Sequence, residues 1–154
     1  MRAQLDEQSV VNANAQFWEQ MLAMTLEATP SREESCVGGG HLLASVNISG
    51  SWTGRIEVRM DSGLAYEATA AMMMQTVDTV GEADVLDATK EIANMIAGML
   101  KSALPRPCSM TVPDSAVEQE GFSRTASEDT LTVGFRHATG RLLVRVWEQD
   151  CVLE

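Results

Sequence analysis

Glu91 and Asn94 stand three residues apart in DATKEIANMIAGMLKS (Asp87–Ser102), a stretch that otherwise reads as a strong helix. A carboxylate only accepts hydrogen bonds and carries charge, whereas a carboxamide both donates and accepts without acting as a strong base. On a helix, residues three and four apart are neighbours, so positions 87, 91, 94 and 98 fall along one face. That face holds Asp87, Glu91, Asn94 and Gly98, with Lys90 and Lys101 beside it. The opposite face holds Ile92, Met95, Ile96, Met99 and Leu100, which anchor the helix to a core. Asn is a modest helix former, and Gly costs about 1 kcal/mol relative to Ala in a helix interior. Two unfavourable residues in one solvent-facing stripe are the kind of local violation expected at functional sites. The alternative is a solvated face that tolerates an asparagine.

That helix has to be held by a core, and 154 residues with 45% hydrophobic and 21% charged side chains suffice for one globular domain. The domain spans residues 1–154, with its core in about 10–150. Eleven Lys and Arg against 22 Asp and Glu leave a net charge of −11, which opposes general affinity for nucleic acid or anionic membrane. The opening MRAQLDEQSVV is polar and acidic, unlike a signal peptide, and no apolar stretch reaches the roughly 18 residues of a membrane span. Cys36, Cys108 and Cys151 are odd in number and unpaired in spacing, which fits reduced thiols in a cytoplasm. With only His41 and His137 besides, no metal site is expected, since structural zinc needs four Cys or His ligands at short spacings.

Periodicity places the elements. Phe17, Met21, Met24 and Ala28 recur at helical spacing in Asn12–Ala28, ahead of Thr29-Pro30. HLLASVNISG and WTGRIEVRMDSG read as two strands around a Gly/Ser turn, with Ile56, Val58 and Met60 alternating with Arg55, Glu57 and Arg59. Asp61 or Ser62 can cap a helix whose apolar stripe is Leu64, Ala65, Ala68, Ala71 and Met72. Gly81 breaks it, and Asp84 can cap the next helix, which runs to about Leu104 before PRP. A strand region interrupted by Pro113 follows, then DTLTVGF and RLLVRVWEQD around RHATG as a hairpin. The order is helix, two strands, two helices, three strands. Hairpins with grouped helices predict an α+β domain, an antiparallel sheet packed against long helices on one face.

Other motifs are missing or bland. There is no dinucleotide fingerprint, phosphate loop or nucleophile elbow. CVGGGH reads as a flexible loop, Met72-Met73-Met74 as core packing, and the two histidines as structural.

The octet EIANMIAG, inside D-x-x-x-E-x-x-N, resembles the signature helix of the CheC/CheX/FliY phosphatase family of bacterial chemotaxis. Asp87, Glu91 and Asn94 match it position for position. The flanking order is similar to the CheX type: a hairpin containing GSWTGRIEVRM, the Ala/Met helix GLAYEATAAMMM, the signature helix, SMTVPDSAVEQEG, then a last hairpin through TGR. No second E-x-x-N lies on a helix, as suits a single-site member. Two departures concern loops: the family's proline stands further from the asparagine than Pro113 does, and MMMQT stands where the family often has glycine.

The resemblance implies an enzyme that dephosphorylates the phospho-aspartate of a CheY-type response regulator. It implies that Asn94 positions the attacking water and that Glu91 docks the receiver's lysine. Asp87, Lys90 and Gly98 would then contact the partner, Gly98 by letting its loops approach the helix backbone. The protein would need no cofactor of its own, the Mg²⁺ belonging to the receiver domain. A cytoplasmic homodimer is also implied, for which exposed edges of the final strands would suit. A non-catalytic module binding a receiver or a flagellar switch partner is the alternative reading, and a purely structural protein a third.

Overall fold

Strand alternation builds the sheet. The computed structural model describes residues 6–29, 41–104, 107–111, 114–118 and 130–148. His41–Gly50 (β2, after the short β1 at Glu27–Thr29) and Gly54–Asp61 (β3) form the first hairpin. Cys108–Met110 (β4), Asp114–Glu118 (β5), Thr130–His137 (β6) and Gly140–Glu148 (β7) complete a seven-stranded sheet. Its order is β1-β6-β7-β3-β2-β4, with β5 also on β2, and every pairing is antiparallel. The α+β architecture is as the sequence predicts.

Ile56, Val58 and Met60 of β3 and Leu142, Val144 and Val146 of β7 turn one way, into a single apolar cluster shared with the helices. The other side of the same strands is charged yet buried, and the register sets Glu57 directly opposite Arg145. Opposite charges across a pair of strands make that burial tolerable.

Three helices complete the core: Glu7–Gln16 (α1), Ser62–Met73 (α2) and Glu82–Lys101 (α3). Asp6 caps α1, its carboxylate accepting from the Ser9 amide at 2.9 Å, and that bond holds its pKa below the ordinary 3.8. Gly63 lies in the first turn of α2, where a Cβ would stand 2.5 Å from the Thr139 carbonyl oxygen, so the β6–β7 hairpin seats directly on the helix start.

Several expectations are corrected. The first helix starts at Glu7 and turns π-helical over Phe17–Met21, ending well before Ala28. The wider turn buries Phe17 and Trp18 side by side, ring centroids 5.3 Å apart and edge-on, and swings Met21 out to solvent. Trp18 Nε1 donates to Asn14 Oδ1 at 3.3 Å and Asn14 Nδ2 to the Val10 carbonyl at 2.9 Å, so the buried polar groups are satisfied. Ala23 then takes a φ of 55°, and Glu27–Thr29 pairs with β6 instead of extending the helix.

On α2 the buried set is Leu64, Ala65, Ala68, Thr69 and Ala70, while Ala71 is exposed. Thr69 goes inward because its hydroxyl donates back to the Ala65 carbonyl at 2.7 Å. Asp61 is the N-cap residue, but its carboxylate accepts from the Arg141 amide at 2.8 Å rather than from α2. Of the methionine run only Met72 packs against the core, since Met73 and Met74 are both exposed. The final strands β6 and β7 are interior, so the sheet's edges are β1 on one side and β4 and β5 on the other. Pro113, Cys36 and Cys151 lie outside the described residues.

Candidate functional site

Helix α3 begins at Glu82, two residues before the expected cap. Gly81 is the N-cap, and Asp84, at the third helical position, accepts the Gly81 amide at 3.0 Å. Glu82 and Asp84 in the first turn and Lys101 in the last complement the helix dipole. Val85, Ile92, Ile96 and Leu100 are buried, and Met95 and Met99 flank them as partly buried neighbours. Thr89 is buried among them, its hydroxyl donating to the Val85 carbonyl at 2.7 Å. This side packs on β2, β3 and β5 and touches α1 and α2.

The site residues lie on the side left to solvent. Asp87 and Glu91 are exposed, and Lys90, Asn94 and Gly98 are half-buried. All five therefore sit on one face of one rigid helix, as their spacing predicts. Lys90 Nζ stands 3.8 Å from Asp87 Oδ1, with the two side chains 40% and 79% exposed, a long and wet pair that contributes little stability. Among the described residues, no hydrogen bond or ion pair engages the Glu91 carboxylate or the Asn94 carboxamide. Among the described residues nothing occupies either group, which leaves both open to a group from a partner. Among the described residues no cluster of three His, Cys, Asp or Glu could hold a metal ion. A carboxylate and a carboxamide on such a face can bind a cation and orient a water. They cannot by themselves supply a strong nucleophile or an electrophile.

Sequence reading missed the surroundings of this face. Asp84 and Ser102 extend the stripe at its two ends. The end of α2 and the turn after it expose Met73 and Met74, and the sequence signal for this was the absence of a glycine after Met73.

A Cβ built at Gly98 meets nothing within 4 Å. Gly98→Ala is therefore expected to stabilise the free protein by about 1 kcal/mol through helix propensity alone. Thermal denaturation reads this as a higher midpoint, and a lower midpoint would mean that the glycine serves the fold.

The family model for the chemotaxis phosphatase CheX matches residues 42–136. Among solved structures, the chemotaxis protein CheX from Vibrio vulnificus is 17% identical, with a TM-score of 0.78 over 97% of this chain and 100% of that one. A chain of the CheX–CheY–BeF3–Mg²⁺ complex from Borrelia burgdorferi is 20% identical, with a TM-score of 0.73 over 94% of this chain and 99% of that one. FliY from Thermotoga maritima is 16% identical, with a TM-score of 0.65 over 92% and 85%. No curated protein sequence matches.

Proposed function

The chain belongs to the chemotaxis phosphatase CheX family, and on that premise we propose that it dephosphorylates the phospho-aspartate of a CheY-type receiver domain. The observation that carries this reading is the uncommitted Glu91/Asn94 pair on the solvent side of α3. A structure similar to this one was solved as a CheX–CheY–BeF3–Mg²⁺ complex, which supports a receiver as the partner.

The chemistry asks little of the phosphatase. A receiver brings its own Mg²⁺ and lysine, which neutralise charge on the transferring phosphoryl group. What remains is to place a water in line with phosphorus. The Asn94 carboxamide would hold that water, accepting from it at Oδ1 and donating from Nδ2. Attack forms the new P–O bond, the bond to the aspartate oxygen breaks, and the carboxylate leaves with release of inorganic phosphate. Glu91, one turn earlier, would pair with the receiver's lysine and set the docking register. Asp87 and Lys90 flank that contact, and Gly98 leaves room for a loop of the partner. The activity would be cytoplasmic, where such receivers work; among the described residues no helix is long and apolar enough to cross a membrane. Pairing with a second copy would use the sheet edges at β1 or at β4 and β5, and sedimentation velocity measures it.

The test is the phosphate lifetime of a purified receiver with and without this protein. Shortening is expected, and Glu91→Ala should lower both receiver affinity and rate because it removes a charge-assisted contact. An unchanged lifetime despite measurable binding would make the protein a binding module.

A further inference from the structure

Met74 closes α2 in the left-handed region, with φ 56° and ψ 46°. Its amide donates to the Ala71 carbonyl at 3.3 Å and the Gln75 amide to the Ala70 carbonyl at 2.9 Å, the paired bonds of a Schellman turn. That position favours glycine, because any Cβ crowds the carbonyl oxygen that follows. The Met74 side chain is also 91% exposed, so no packing within the described chain offsets the strain. Met73, the last residue of α2, is 39% exposed and Val77 48%, and among the described residues Met21 is the one other exposed large apolar side chain. Single exposed apolar residues are ordinary, but three within five positions, one of them in a disfavoured conformation, form a patch.

The turn leads directly into the helix that carries the candidate site. Helices α2 and α3 touch each other and both pack on β2 and β3, so their solvent sides look the same way. The turn adjoins the N-terminal end of α3, and Glu91 lies nine residues beyond Glu82, about 13 Å along the axis. A specific contact between two globular proteins covers roughly 800 Å² on each, a disc about 16 Å in radius. A disc centred on the Glu91/Asn94 pair reaches about as far as Glu82, so a partner that engages the pair covers the turn as well when its footprint is centred toward Asp87.

We infer that Met73, Met74 and Val77 are an apolar docking patch for the same receiver domain whose phosphoryl group meets Asn94, an inference that rests on the phosphatase reading. Unbranched thioether side chains adapt to irregular apolar surfaces. The patch would thus select among receivers for one with an apolar area beside its phosphorylation site, while Glu91 and Asn94 address features that all receivers share.

The test uses the full chain and each stand-alone CheY-type receiver of the same organism, loaded with beryllofluoride and Mg²⁺, in calorimetric titrations. Met74→Gly should raise the melting midpoint by about 2–4 °C, since it removes the backbone strain. It should also weaken binding of the cognate receiver roughly tenfold, the loss of one well-buried apolar anchor. Met74→Leu should keep affinity within about twofold, and Met21→Gln, at the other exposed methionine, should leave it unchanged. A variant that becomes more stable yet binds more weakly cannot be explained by a structural role. If Met74→Gly binds as the wild type does while Glu91→Ala binds poorly, the patch is refuted and the phosphatase reading stands. A change in self-association alone, seen by sedimentation, would refute the receiver as occupant and assign the patch to a second copy. If the wild type neither binds any receiver nor shortens its phosphate lifetime, both readings fall together.

Discussion

Asn94→Ala is expected to slow receiver dephosphorylation by roughly 10²- to 10³-fold, the scale seen when one preorganised transition-state contact is removed. The carboxamide sits on a helix whose far side is locked into the core by Ile92, Ile96 and Leu100, so its position is set by the fold and not by the partner. A contact with the attacking water would matter chiefly in the transition state, so affinity for the phosphorylated receiver should change little. Decay of radiolabelled phosphate on the receiver, or stopped-flow fluorescence, measures the rate. Titration with the beryllofluoride-loaded receiver measures binding. Turnover at the wild-type rate would remove the water-positioning role and leave α3 as a docking surface.

The second large effect concerns stability. Ile96 is fully buried on the opposite side of α3, among the largest fully buried side chains of the core. Ile96→Ala should destabilise the protein by roughly 2–5 kcal/mol, the lost transfer free energy plus the cavity left behind. Catalysis should persist in whatever fraction stays folded, because Glu91 and Asn94 keep their places on the outer side. Urea unfolding gives the first quantity, and the rate per folded molecule gives the second. A loss below about 1 kcal/mol would mean that the helix is not anchored through this face. Ile96→Ala and Asn94→Ala thus separate the two sides of one helix: one should reduce stability and spare the chemistry, the other the reverse.

The sequence by itself determined what depends on local spacing. The 3.6-residue period put Glu91 and Asn94 on one face of α3 and Ile92, Ile96 and Leu100 on the other, and the structure keeps both faces. Strand alternation did the same for β3, and short Gly-containing turns set the hairpins β2–β3 and β6–β7. Only the tertiary structure decided what depends on distant partners. Local periodicity read Phe17, Met21, Met24 and Ala28 as one continuous helix, but burying Phe17 and Trp18 together required a wider turn, and backbone bonds from β6 drew Glu27–Thr29 into the sheet. The methionine run had the composition of core, and Met72 does pack on it, yet α2 ends at Met73 and among the described residues no element covers Met74, which stands 91% exposed. The strand order was likewise beyond the sequence, since β6 and β7 become interior only when β1 and β3, far away along the chain, pair on either side of them. Periodicity fixes which way a side chain faces on its own element; whether that side meets protein or solvent is settled by residues dozens of positions away.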